Sequence, residues 1–349
     1  MKKLNLSLIQ WPQRRVVMFE ANSLAVIFVA LMGFSILLYA ILDGYDLGVG
    51  ILLPLTQKDD SDTMIASIGP FWDANETWLV LAIGLLLIAF PAAHSHIFKE
   101  LYLPTAVLLI SLVLRGVAFD FRAKAAFSHK PTWNKVFKAG SLLAAMSQGY
   151  MLGMYVMGFE NTLAAYVFSL LSALGVAAAY AYIGACWLIM KTEGALQVQA
   201  VNWAKKTGVL CFIGVVAVSA VNPLINPDVY AKWFAWPTTL YILPLPILCF
   251  SLFVYSQMQL KLLPAHNDKG CWRPFVAAVI IFALCFFGLA FSFFPYIVPG
   301  KLTIWQSAAA PESLSFILWG AIIVVPVIIS YTIFSYRVFW GKVQELRYH

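Results

Sequence analysis

Long apolar runs separated by short polar breaks set the pattern of this chain from residue 22 to residue 340. A helix needs roughly 20 mostly apolar residues to cross the hydrocarbon core of a bilayer. The runs predict nine such helices: 22–54, 71–90, 101–121, 137–159, 163–190, 208–221, 238–260, 275–298 and 314–340. The first is long, and its spanning part is expected to end near Leu42. The sixth is the shortest and must draw on residues upstream near Lys206. The expected fold class is all-α, a polytopic membrane protein with nine transmembrane helices. Its organisation is one transmembrane helical domain over residues 18–349, preceded by an N-terminal tail of residues 1–17.

Composition agrees with the pattern. Hydrophobic residues make up 62% of the 349 and charged residues 11%, with a mean hydropathy of +0.82, whereas a soluble domain carries about 25% charged residues. No polar stretch is long enough for a soluble domain, and the net charge of +7 implies no nucleic-acid partner in a chain this apolar. Basic loop residues orient membrane proteins, cytoplasmic loops being the richer in them. Lys124, Lys130, Lys135, Lys205, Lys206, Lys261 and Lys342 fall on the side of the C-terminus, against Lys99, Lys232 and Lys301 on the other. The C-terminus is therefore expected in the cytoplasm and the N-terminus in the periplasm. Lys2, Lys3, Arg14 and Arg15 run against that rule. The tail lacks the apolar stretch and small-residue cleavage site of a signal peptide, and translation starting at Met18 would remove the conflict.

Small residues mark expected helix contacts, because they let helices approach closely in lipid. Gly149 and Gly153 form a GxxxG pair, and Ala177, Ala181 and Ala185 recur every four residues. Trp72, Trp78, Trp133, Trp233, Trp236 and Trp305 fall near predicted span ends, as interface anchors do. The five cysteines lie in or beside apolar runs with no metal-site or disulfide spacing, which assigns them to packing.

Ionisable residues inside these runs change the picture most, since each costs about 2.5–3.5 kcal/mol at mid-span on insertion scales. Asp43 and Asp46, three apart, share a face if their helix continues. Asp73 and Glu76 open the second run, and Arg115 and Asp120 lie toward the end of the third. With the N-terminus outside, three spans deliver these groups to one depth, the cytoplasmic third, as a proton entry route would need. Structural readings stand beside the functional one. Asp73 and Glu76 would complement a helix dipole, and Asp43 and Asp46 would cap or turn a helix end. Arg115 needs a partner, for which Asp120 and Asp73 are the candidates.

The five histidines, His94, His96, His129, His266 and His349, lie in loops, at span ends or at the C-terminus. None is placed to ligate a haem within the bundle, as axial histidines do, and the six intramembrane histidines of a haem–copper oxidase core are missing. His94 and His96 are two apart and point to different helix faces, a poor metal pair. No nucleotide loop, catalytic triad or zinc motif is present, so no metal site is expected and redox chemistry would belong to a partner.

Four motifs carry a family resemblance: DGYDLGVG at 43–50, GPFWDANETWL at 69–79, LRGVAFDFRAK at 114–124 and FPYIVPGKLTIW at 294–305. With them the chain resembles subunit II of the cytochrome bd-type quinol oxidases and their cyanide-insensitive relatives, from Met18 to the final run. The resemblance implies a haem-free subunit of the inner membrane, with no catalytic residues of its own. Its implied partner is the haem-bearing subunit I, which holds haems b and d, oxidises quinol at the outer face and reduces oxygen to water. It leaves room for a structural quinone, surrounding membrane lipid and a small accessory subunit. The family's proton path falls here on Asp73, with Glu76, Arg115 and Asp120 beside it and Asp43 and Asp46 as secondary candidates. Glu76 stands where a neutral amide is common, adding a titratable group, and Gln306 stands where many members are acidic. The short break between the sixth and seventh runs has no room for a large quinol-binding domain. Intramembrane carboxylates would equally suit a proton-coupled secondary transporter, which would work without a haem-bearing partner, or a scaffold whose charges form structural ion pairs.

Overall fold

The computed structural model describes residues 21–54, 58–124, 129–264 and 268–343. The tail 1–17, the start at Met18, and His266 and His349 lie outside the described residues. Helix α1 (Ala21–Leu52) is unbroken for 32 residues, about 48 Å at 1.5 Å per residue. Its regular helix does not end near Leu42. Asp43 and Asp46 therefore sit inside it and do not cap it. No proline interrupts this stretch, and its glycines serve contact with neighbours rather than bending.

A short helix not foreseen from the sequence, α2 (Lys58–Ile68), turns the chain toward α3 (Trp72–Ala89). Next, α4 (Pro91–Lys124) holds a kink at Leu101, where φ is −108° and ψ is 17°. Pro104 explains it: the ring supplies no N–H and crowds the carbonyl one turn back. The predicted third span thus begins at the kink. Four long helices follow the same up-and-down course: α5 (Lys130–Val156), α6 (Leu163–Lys191), α7 (Gly194–Ile225) and, after the short α8 (Pro227–Phe234) and α9 (Thr238–Ile242), α10 (Pro244–Leu262). The weak sixth run is completed from upstream, since α7 begins at Gly194.

Helix α11 (Arg273–Phe293) is shorter than the eighth run predicts. Its expected last residues enter a hairpin, β1 (Tyr296–Val298) paired antiparallel with β2 (Leu302–Thr303), followed by α12 (Ile304–Ser307). Gly300 supplies the positive φ of 67° at the turn, a conformation that costs a side-chain-bearing residue. Gln306 finds its role here: its Oε1 accepts from the Thr303 N–H while Thr303 Oγ1 accepts from the Gln306 N–H, a capping box. Helix α13 (Pro311–Val338) closes the chain.

Among the described residues, eight helices are long and apolar enough to cross a membrane, with α9 and α10 forming one of them. The remaining predicted span, 137–159, lies in α5, which is long enough but carries lysines, serines and a glutamine. One end of α5 holds Lys130 against Asp62. At the other end the Val156 carbonyl accepts from Asn226 just beyond α7. It therefore runs the length of the bundle between α4 and α6.

Helix α1 stands at the centre, packed on α3, α5 and α6. A Cβ on Gly48 would lie 1.8 Å from the Tyr180 carbonyl oxygen, and one on Gly184 would lie 2.6 Å from the Gly48 carbonyl carbon. The two backbones touch. Gly149 and Gly153 do face a neighbour: their Cβ positions fall 2.6 Å from Ala173 Cα and 2.5 Å from Ser169 Cα on α6. Trp78 departs from the anchor expectation, being fully buried and edge-on to Phe34. At one end of the bundle Leu24, Phe28, Phe90, Ile297, Val298 and Ile304 form an apolar cap.

Candidate functional site

The other half of α1 carries a buried ion cluster. Asp43 and Asp46 lie on its inward face and are fully buried, as is Arg115 of α4. Arg115 Nη1 donates to Asp43 Oδ1 at 2.6 Å and to Glu76 Oε1 of α3 at 3.2 Å. Its Nη2 stands 4.0 Å from Asp46 Oδ2. The guanidinium also rests over the rings of Trp72 and Phe137 at 5.9 and 6.0 Å, within cation–π range. Charged side chains are tolerated at such depth only when paired, and three helices supply the partners.

Arg115 pairs with neither Asp73 nor Asp120. Both are exposed on the outer surface of the subunit, and among the described residues neither joins an ion pair. Five residues from Arg115, Asp120 is rotated about 140° around the helix and cannot share its face. Asp73 lies one turn before Glu76 in the first turn of α3, near enough to Asp120 for the two charges to interact. Of the predicted site residues, then, Glu76, Arg115, Asp43 and Asp46 come together, while Asp73 and Asp120 flank them on the surface. Glu76 links the two groups, with its side chain 29% exposed.

Neutral polar residues extend the cluster along two branches. In one, Asn75 Nδ2 donates to Asp46 Oδ2 at 2.7 Å and to the Tyr45 hydroxyl at 3.0 Å. That hydroxyl lies 2.5 Å from the hydroxyl of Tyr336 on α13. The other starts at Tyr39, one turn from Asp43 on the same face, where Gln148 donates to the Tyr39 hydroxyl at 2.8 Å and accepts from Tyr180 at 2.6 Å. Asn75 and Tyr45 stand inside two of the motifs, and an amide or phenol amid ions was the available signal. Tyr336 and Gln148 gave none, because only the three-dimensional packing brings their helices to α1. Buried oxygens Asp43 Oδ2 and Asp46 Oδ1, with Arg115 Nε and Nη2, have no hydrogen-bond partner among the described residues.

Two turns beyond Arg115 on the same face of α4, Arg122 Nε donates to Asn134 Oδ1 at 2.5 Å, and Arg122 also pairs with Asp62 of α2. Lys130 reaches the same carboxylate at 3.3 Å. This end of the bundle also gathers Asp268, which accepts from Gln197 at 2.8 Å and pairs with Lys342 at 3.1 Å. The Gln197 hydrogen bond, followed by Lys342, holds the Asp268 carboxyl below its usual range. Among the described residues no group of three or more His, Cys, Asp or Glu side chains is arranged to hold a metal ion. All five cysteines are free.

Comparison with known proteins places these residues in a family context. The family model described as cytochrome bd terminal oxidase subunit II matches residues 24–339. The chain is 27% identical to the cytochrome bd-I ubiquinol oxidase subunit 2 of Escherichia coli (strain K12), covering 94% of this chain and 97% of that protein. It is 26% identical to the cytochrome bd ubiquinol oxidase subunit 2 of Bacillus subtilis (strain 168), over 87% of this chain and 92% of the relative. A solved structure of bd oxidase from Geobacillus thermodenitrificans contains a chain of similar fold, with TM-score 0.74 and 18% identity, covering 91% of this chain and 99% of that one.

Proposed function

The chain belongs to the cytochrome bd terminal oxidase subunit II family, and on that premise we propose that it conducts cytoplasmic protons toward the oxygen-reducing centre of a haem-bearing subunit I. As a family member it is a multi-pass protein of the bacterial inner membrane and part of a quinol oxidase. The finer reading is a haem-free subunit crossing the membrane nine times, N-terminus in the periplasm and C-terminus in the cytoplasm, with haems b and d held by the partner. It forms a single transmembrane domain.

Asp73 and Asp120 collect protons at the surface and Glu76 relays them inward. Asp43 and Asp46, held by Arg115, form the buried store. The observation that supports this most is Glu76, 29% exposed yet 3.2 Å from a guanidinium whose other carboxylates are sealed. One cation set against three carboxyl groups is in charge balance only when two of them hold protons. In a cluster of that composition neighbouring charges bias which carboxyl holds a proton. The unpartnered oxygens of Asp43 and Asp46 are the acceptor positions such a proton would reach.

Asp73→Asn and Glu76→Gln test the route. Each is expected to lower oxygen consumption with quinol at neutral pH by tenfold or more, the order typical of losing one proton-transfer group, with the haem spectrum of the purified complex unchanged. Wild-type turnover in an assembled Asp73→Asn oxidase would remove Asp73 from the route, and the same result for Glu76→Gln would sever the surface from the cluster.

A further inference from the structure

Helix α13 leaves a crevice open against α1 and α3, a cavity of about 700 Å³, within the range of small-ligand sites, roughly 300–1,000 Å³. Its chemistry is graded along the bundle axis. At the mouth stands Arg337, in the last turn of α13, exposed and without an ion pair among the described residues. Trp340 lines the mouth beside it and is 77% exposed, as aromatic residues are at the level of lipid headgroups. Thr332 lines the crevice five residues deeper, about 7.5 Å by helical rise, and its Oγ1 is buried with no partner among the described residues. Trp78 lines it too, fully buried, with its indole Nε1 likewise unpartnered. The remaining walls are hydrocarbon, with Leu38 about 10 Å of helical rise past Tyr45 and Phe34 one turn farther, edge-on to the Trp78 indole.

A cation at the mouth, an orphaned hydroxyl below it and apolar walls that hold one orphaned indole donor match the phosphate, ester carbonyls and acyl chain of a glycerophospholipid. An indole N–H is a donor only, so an ester carbonyl suits it where a second donor would not. Leaving such a group unbonded away from water costs the full desolvation penalty. We propose that this crevice binds one anionic phospholipid. Its phosphate pairs with Arg337, its ester carbonyls accept from Thr332 and Trp78, and one acyl chain lies along Leu38 and Phe34. The lipid also abuts Tyr336, whose hydroxyl continues through Tyr45 and Asn75 to Asp46, so the bound lipid forms the outer wall of the polar branch. This site depends on the membrane setting of the chain and not on the proton route.

The test is native mass spectrometry of the intact detergent-purified oxidase titrated with phosphatidylglycerol or phosphatidylcholine. Wild type is expected to retain one phosphatidylglycerol in preference to phosphatidylcholine. Arg337→Gln should weaken retention about fivefold, the loss for removing one basic residue from an anionic lipid, while Lys261→Gln leaves it unchanged. Leu38→Trp fills the slot and should abolish retention. Ile329→Trp, on the α13 wall, repeats that test if Leu38→Trp does not assemble. Equal retention of the two lipids by wild type, or undiminished phosphatidylglycerol in the filled variants, would overturn the proposal. So would a density map of the complex with a helix of another subunit, a quinone or this chain's own C-terminal residues in the crevice.

Discussion

The two halves of α1 bury themselves by opposite means. Toward its N-terminus Leu24, Phe28 and Met32 pack on Phe90, Ile297, Val298 and Ile304, a cap of bulky side chains. Toward its C-terminus the same helix offers Asp43, Asp46 and close-packing glycines, and is just as buried. The first half excludes ions by filling space. The second admits them, because α4 brings the cation Arg115 and α3 the amide donor Asn75. The subunit is thus packed with bulky apolar side chains at one end and carries paired buried charge at the other, the asymmetry that the proposed proton route would use.

Arg115→Leu should break this comparison most severely. It strands Asp43 and Asp46 without their cation, and removing one partner from a buried ion pair costs about 3–5 kcal/mol. The expected result is failure of the oxidase to assemble, read as loss of haem from the solubilised complex on a native gel. In the capped half, Phe28→Ala removes a fully buried ring and should cost about 3 kcal/mol. Its signature differs: a lower melting temperature with oxygen turnover per haem unchanged. Equal effects on turnover from both variants would erase the distinction between the halves.

Tyr336→Phe is subtler. It removes one hydroxyl from the Tyr45–Asn75 branch and should cost about 1 kcal/mol, visible in the melting temperature. The smallest effect belongs to Asp268, which is tied to Gln197 and Lys342 rather than to α1. Its folded carboxyl titrates below the unfolded value, so its stabilisation is fully present above about pH 4 and is lost as pH falls through the depressed folded value. Asp268→Asn should therefore flatten the acid limb of the melting profile and leave the neutral region alone.

Much of the fold was legible, because a bilayer demands apolar length and little else can supply it. The runs at 71–90 and 163–190 became α3 and α6 almost residue for residue. What escaped was local chemistry that hydropathy does not weigh: the short polar helix α2 and the hairpin that ends α11 early. The site was half legible. The cost of intramembrane charge pointed to Arg115, Glu76, Asp43 and Asp46 before any coordinates. The choice of Asp73 or Asp120 as the partner of Arg115 failed for a reason visible in hindsight. Arg115, Ala118 and Arg122 mark one buried face of α4 at helical spacing, and Asp120 falls off it. Which helix faces which lay beyond the sequence.

Backbone touching backbone at Gly48 and Gly184 leaves nothing compressible between α1 and α6. A side chain at either glycine would push the helices apart, so the helix that carries the carboxylates at 43 and 46 is held at backbone contact with its neighbour. On the proposed proton-conducting reading, protons and side-chain torsions move past these close-packed helices, the opposite of a carrier that tilts its helices to expose a site first to one compartment and then to the other.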